Sequence, residues 1–303
     1  MKLVVRLPNW VGDVCMALPA LRALAERGVQ LELVGKGWSG DLLAGHGWPC
    51  RKLPAGVRPA AAVIRELGIE RGLLLTNSFG SALQFRWAGV RAVGYRQELR
   101  TILLGRGVPR VRGRHEVQAF WRLAQEVAVW LALPPLPPEP PPELGLTLTP
   151  QHEQAAKHAL QRAGVHAPFV LLCPLAAGTI NGRSKVWPGF PQLARLLAAR
   201  GLPLVACPGP GEDAACAEAL PGAVLLPGLG LGTYAAIARR ALITVANDSG
   251  PMHLAAAVGA PVVGVFGVAD PARTHPWSAQ GRTIGDANGW PSADEVLGRL
   301  ALP

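Results

Sequence analysis

The sequence predicts an α/β protein of two doubly wound, Rossmann-like domains facing a central cleft. Short apolar, partly β-branched runs alternate with helical stretches through both halves, the pattern of a parallel sheet covered by helices. A proline run from 134 to 142 separates the halves. Each half also ends a strand in a polar, glycine-containing turn that opens a helix, and in doubly wound folds ligands bind at that carboxyl edge.

Residues 3–7, Leu-Val-Val-Arg-Leu, read as the first strand. The turn Pro8-Asn9-Trp10-Val11-Gly12-Asp13 follows, and a helix over 14–27 stops at Gly28. Gly12 and Asp13 therefore stand at a helix N-terminus. The turn lacks the full Gly-x-Gly-x-x-Gly spacing, which argues against a dinucleotide site. Taken alone, Asp13 serves as an N-cap. Strands over 31–34 and 72–76 continue the first half. Pro-Pro-Leu-Pro-Pro-Glu-Pro-Pro-Pro at 134–142 fits neither helix nor central strand and reads as a semi-rigid spacer. The domain boundary is set at 145/146, giving domains 1–145 and 146–303. After it come a helix over 151–163 and strands over 169–173, 204–206, 223–226, 242–245 and 262–266.

The most informative stretch is Ala246-Asn247-Asp248-Ser249-Gly250-Pro251-Met252-His253, set between two apolar runs. A buried strand delivers this polar turn to a helix running to Val258 and ending at Gly259. Pro251 suits the first helical turn, and Asp248 or Ser249 can cap it. Backbone N–H groups and the positive end of the helix dipole converge there, which favours a phosphate, and His253 stands near enough to add a donor. An ordinary capped β–α turn accounts equally well for the stretch taken alone.

Composition bounds the partners. Half of the 303 residues are hydrophobic, ample for two cores, and 30 Lys+Arg against 20 Asp+Glu leave a net charge of +10. Such a surplus suits an anionic partner. Arginines concentrate between Arg86 and Arg122, almost without lysine, and arginine's planar fork suits phosphate or carboxylate. A solvated surface accounts for much of the same pattern. Five scattered cysteines form no Cys-x-x-Cys pair, so zinc ribbons and disulfide frameworks are not expected and a reducing compartment is. Neither a signal peptide nor a transmembrane run is expected. The expected location is cytoplasmic, with peripheral contact at the inner membrane through the basic face.

Four separated motifs in one order resemble the heptosyltransferases of lipopolysaccharide core synthesis (glycosyltransferase family 9, GT-B architecture), heptosyltransferase II more than heptosyltransferase I. They are Arg6-Leu7-Pro8-Asn9-Trp10-Val11-Gly12-Asp13; Thr76-Asn77-Ser78-Phe79-Gly80 with Gly94-Tyr95-Arg96; Lys185-Val186-Trp187-Pro188; and Asn247 to His253. The resemblance implies inverting transfer of a heptose from ADP-heptose to a sugar hydroxyl, with 1–145 binding the acceptor and 146–303 the donor. It makes Asp13 the general base that takes the acceptor proton, a step a weak hydroxyl nucleophile requires. It sets Lys185 against the leaving diphosphate, and Asp248, Ser249, Gly250 and His253 around the nucleotide sugar. Glu212 is implied as the acidic contact to the ribose. Asn77, Ser78 and Arg96 are implied on the acceptor side, with an anionic glycan or glycolipid as acceptor. With a lysine and a helix N-terminus on the diphosphate, no metal and no other cofactor is expected; no Asp-x-Asp motif occurs.

Two other classes use the same residues: a GT-B enzyme acting on another nucleotide sugar or acceptor, including an epimerase, and a non-catalytic nucleotide-sugar or nucleic-acid binding protein. Nucleic acid is disfavoured because few aromatics interleave the arginines.

Overall fold

The computed structural model describes residues 1–302, with Glu98 described by its backbone alone. The chain forms two compact units, Met1–Pro141 and Pro142–Pro303. The division falls inside the proline run.

The first unit runs β1 (Lys2–Arg6), α1 (Val11–Glu26), β2 (Gln30–Gly35), α2 (Ser39–Leu43), β3 (Cys50–Lys52), α3 (Val57–Arg65), β4 (Arg71–Leu74), α4 (Phe79–Trp87), β5 (Arg91–Tyr95), a 3-10 turn Glu98–Leu103, β6 (Arg106–Val108) and α5 (Glu116–Trp130). Its six strands are parallel in the order β3-β2-β1-β4-β5-β6. The order reverses between β1 and β4. At such a switch point the connections leave in opposite directions and open a crevice at the carboxyl ends. Val4, Val34, Leu74, Ile64, Ala82 and Phe85 form the core on one face, while α1 packs against α5. Gly72 lets α4 close on β4: a Cβ there would meet Phe85 and Val90 at 2.7 Å.

The second unit runs α6 (Pro150–Arg162), β7 (Val170–Cys173), β8 (Thr179–Ile180), β9 (Arg183–Ser184), α7 (Phe190–Ala198), β10 (Leu204–Ala206), α8 (Asp213–Ala219), β11 (Val224–Leu225), α9 (Leu231–Arg240), β12 (Ile243–Asn247), α10 (Gly250–Ala257), β13 (Val262–Val265), α11 (Pro271–Thr274), β14 (Gly281–Ile284) and α12 (Ala293–Arg299). Its parallel sheet, β11-β10-β7-β12-β13-β14, repeats the order of the first and switches between β7 and β12. Val170, Leu172, Phe190, Leu193, Leu197, Val263, Val265 and Val296 form the core under α7 and α12. β8 and β9 are a separate hairpin.

Two expectations need correction. The first helix begins at Val11, not at 14, with Trp10 in the cap position, so Asp13 lies in the third helical position and is not the N-cap. The proline run is not a free spacer. Arg27 donates to the carbonyls of Pro134 and Pro135, Trp121 Nε1 to Pro137 and Gln125 to Pro137 and Pro138, which straps it onto α1 and α5. A polyproline backbone has no internal hydrogen bonds, so its carbonyls are free to accept these.

Candidate active site

In the second unit the site grows from the last residue of β12. A buried strand should end apolar, yet Asn247 is fully buried. Its Oδ1 accepts from Trp187 N at 2.8 Å, and its Nδ2 donates to Pro174 O at 2.8 Å and to Cys173 O at 3.4 Å. One amide thus joins the carboxyl ends of β7 and β12 to the segment that follows β9. Trp187 fixes that segment from the other side: its indole is buried, donates to Pro291 O at 2.9 Å and lies over Gly189, where a Cβ would fall 2.3 Å from the ring.

Lys185 sits two residues before Trp187, directly after the hairpin. The hairpin closes through Asn181 and Gly182, with φ of 50° and 75°, the left-handed pair that a two-residue turn between antiparallel strands requires. Arg183 donates to Gly267 O at 3.0 Å and ties the hairpin beyond β13. Held this way, Lys185 Nζ reaches Asp248 Oδ2 at 2.7 Å, with Asp248 9 % and Lys185 20 % exposed at the side chain. Sixty-odd residues of sequence separation vanish in that contact. The ammonium keeps two further N–H donors and stands beside the start of α10.

Ser249 takes the cap position of α10 but does not cap it: its Oγ donates to Asn247 O at 3.2 Å, and no side chain accepts from the first helical N–H groups. Gly250 opens the helix without a side chain, and Pro251 follows in its first turn. The turn therefore presents backbone donors, a helix dipole and an ammonium, a combination matched to a phosphate group. His253 is buried at 3 % exposure, and burial lowers its pKa to about 4, with Asp248 pulling upward and Lys185 and His275 pushing down. It is a neutral imidazole whose Nδ1 has no hydrogen-bond partner. As a neutral ring it can offer an anion one N–H donor and no positive charge. Glu212 lies at the start of α8 beyond β10, exposed, with its carboxylate accepting from Gly209 N at 2.9 Å. Among the described residues no hydrogen bond or ion pair links it to Lys185 or Asp248.

In the first unit the two sides of the switch point carry the residues of interest. Asp13 is half-buried in the first turn of α1, beyond β1. Its charge contributes to the raised pKa of the buried Cys15 thiol, after burial itself. Beyond β4, Ser78 caps α4 by accepting from Ser81 N at 3.2 Å, and Asn77 Oδ1 accepts from Arg100 Nη1 at 3.2 Å. Arg96 is exposed and donates to Gly107 O at 2.9 Å. All three carry a structural bond. Ser78 and Arg96 are exposed as well, and Asn77 is half-buried.

Four residues that shape these edges have no role in the sequence reading. Asn247 and Trp187 position Lys185. Arg6 and Arg100 are buried guanidiniums whose pKa burial lowers, to about 10 for Arg100. Arg100 also donates to Tyr95 O at 3.2 Å and pins the 3-10 turn to β4 and β5. A polar residue ending an apolar run was a visible signal for Asn247; nothing local marks Arg100 as buried. Among the described residues, no group of three or more His, Cys, Asp or Glu is placed to hold a metal.

A model of glycosyltransferase family 9 (heptosyltransferase) matches residues 60–297. The chain is 28% identical to lipopolysaccharide heptosyltransferase 2 of Escherichia coli K12 and 29% identical to that of Salmonella typhimurium, each over 94% of this chain and 88% of the relative. The solved E. coli ADP-heptose LPS heptosyltransferase II superposes with a TM-score of 0.82 at 24% identity, covering 99% of this chain and 97% of that one. An E. coli heptosyltransferase with ADP gives 0.74 at 21%, covering 98% of both. The shared fold is two doubly wound units, the GT-B class. With the family model spanning well over half its length, the chain belongs to glycosyltransferase family 9, the heptosyltransferase family.

Proposed function

We propose that this enzyme transfers a heptose from ADP-heptose to a hydroxyl of a lipopolysaccharide core-type acceptor, with inversion at the anomeric carbon. The observation that carries the reading is Lys185 held on Asp248 at the uncapped start of α10. As the bond between the anomeric carbon and the phosphate oxygen breaks, negative charge grows on the diphosphate. A fixed ammonium and helix N–H groups stabilise that growth more than they stabilise the ground state. Asp13 takes the acceptor proton as the hydroxyl oxygen attacks. Ser249 and Gly250 shape the phosphate turn, His253 fills the space behind it as a neutral ring, and Glu212 faces the ribose. No divalent cation is assigned, because Lys185 and α10 supply the counter-charge; transfer is expected to survive chelation by EDTA unchanged.

The acceptor is an anionic glycan or glycolipid met through Asn77, Ser78 and Arg96. The site of action is the cytoplasmic side of the inner membrane, reached by peripheral contact. Among the described residues no helix is long and apolar enough to cross a membrane.

Asp13→Asn is the deciding experiment. Transfer should fall by roughly 10²–10⁴-fold, the usual worth of a positioned base, while ADP-heptose binding stays intact. Near-normal turnover in the folded variant would end the assignment of Asp13. Thermal stabilisation by UDP- or GDP-sugars in preference to ADP-heptose would move the enzyme to another donor.

A further inference from the structure

Building on the peripheral contact proposed above, we propose that the 3-10 turn Glu98–Leu103 is a shallow insertion element that seats Leu99 and Ile102 in the headgroup region of an anionic bilayer. In a 3-10 helix residues three apart eclipse one another. Leu99 and Ile102 therefore stand side by side, and they are 73 % and 78 % exposed. Scattered single apolar residues on a surface are ordinary. Two aliphatic side chains paired on one turn are not scattered.

The turn is built rather than loose. Arg100 lies on its opposite side, 2 % exposed, and bonds Asn77 Oδ1 and Tyr95 O beyond β4 and β5. Its guanidinium lies over Gly94, where a Cβ would come within 3.0 Å of Nη2. The buried side of the turn thus fixes which way the apolar side faces.

Charge and apolar exposure coincide around it. Arg96 precedes the turn, and Arg110, Arg112 and Arg114 follow with Val111, which is also exposed. Arg110 stacks over the Tyr95 ring, and Tyr95 shares a small cavity with Val111 and Arg114, which brings this segment back beside the end of β5. Arg96 and Arg112 have no carboxylate partner among the described residues. On the scale of the units, Met1–Pro141 holds 19 Lys+Arg against 10 Asp+Glu, whereas the rest of the chain holds 11 against 10. Every exposed large hydrophobic among the described residues also lies in the first unit.

Two apolar side chains are far too little for a stable protein interface, which needs about 1,000 Å² of buried surface. They suffice for a bilayer, where shallow apolar contact adds to attraction between arginines and anionic headgroups. Arginine also lets its stem lie along the apolar boundary while its head stays wet.

Vesicle co-sedimentation tests this, using the whole chain. Wild type should bind phosphatidylcholine vesicles carrying about 30 % phosphatidylglycerol, bind pure phosphatidylcholine about tenfold less, and release in high salt. Leu99→Ser/Ile102→Ser should weaken binding to the anionic vesicles by about tenfold, with melting temperature and ADP binding unchanged. Leu99→Ser alone, a milder surface change, should give a smaller loss in the same direction. If wild type ignores anionic vesicles, the peripheral contact itself is wrong. If wild type binds and the folded double variant binds equally, the contact stands and its assignment to this turn is overturned.

Discussion

Asn247 commits its whole side chain to three backbone groups, and Lys185 depends on the result. Replacing it by leucine keeps the volume but leaves Trp187 N–H and Pro174 C=O buried without partners. Each orphaned group costs about 1–3 kcal/mol, so Asn247→Leu should lower unfolding stability by about 2–5 kcal/mol and weaken ADP binding as the Lys185 segment loosens. Urea unfolding with parallel calorimetry would show both; unchanged stability would end the clamp role. His253 gives a pH signature. Its pKa is about 4 in the fold against an ordinary 6.5, so below pH 6.5 the unfolded chain takes up a proton that the fold refuses. Stability is full above that pH and falls towards pH 4, by about 2 kcal/mol at pH 5. His253→Gln should flatten the melting profile between pH 7 and 5, and an equally steep profile would assign the loss to other groups. The strand–turn–helix form of the Asp248–His253 stretch was readable because strand, glycine, proline and helix occur in one short run. The Lys185–Asp248 pair was not, since a tertiary contact leaves no local pattern.

Elements hold the site by close approach. The stretch from Lys185 to Gly189 lies flat because the Trp187 indole occupies the space a side chain at 189 would need. Gly189→Ala should displace the ring, cost about 1–3 kcal/mol by overpacking and raise the Kd for ADP, whereas an unperturbed melt would show that the segment has slack. Most central strands were legible because both of their faces are buried and their sequence is continuously apolar; β5 was not, since Arg91 and Gly94 interrupt its apolar run. β3 and β6 were not: each is a three-residue edge strand with mostly accessible positions, indistinguishable from loop by pattern. The start of α1 was misplaced for a related reason. Trp10 caps the helix by backbone geometry alone, so no capping side chain marks the boundary. The hairpin at Asn181-Gly182 was not read, although that dipeptide is a strong short turn signal, because the flanking strands are only two residues each.

At the scale of the molecule, two sheets share one strand order and divide one charge unevenly. ADP should protect amide hydrogens around Lys185 and the Asp248–His253 turn in the second unit and raise that unit's stability by about 2.7 kcal/mol at a hundredfold excess over Kd. Protection confined to the first unit would refute the donor assignment. The two-unit organisation was legible from the prolines; that the run is strapped onto α1 and α5 was not, because its carbonyl partners come from helices far apart in sequence. That strap has a consequence for synthesis. Each sheet is continuous in sequence, so the first unit can fold while the second is still being made, but Arg27, Trp121 and Gln125 find their partners only when Pro134 to Pro138 have left the ribosome. Translating the second unit takes about ten to thirty seconds more. Through that interval the strapped prolines close the back of α1 and α5, and a growing chain cut short before Pro134 would expose that seam to proteases and to its own copies.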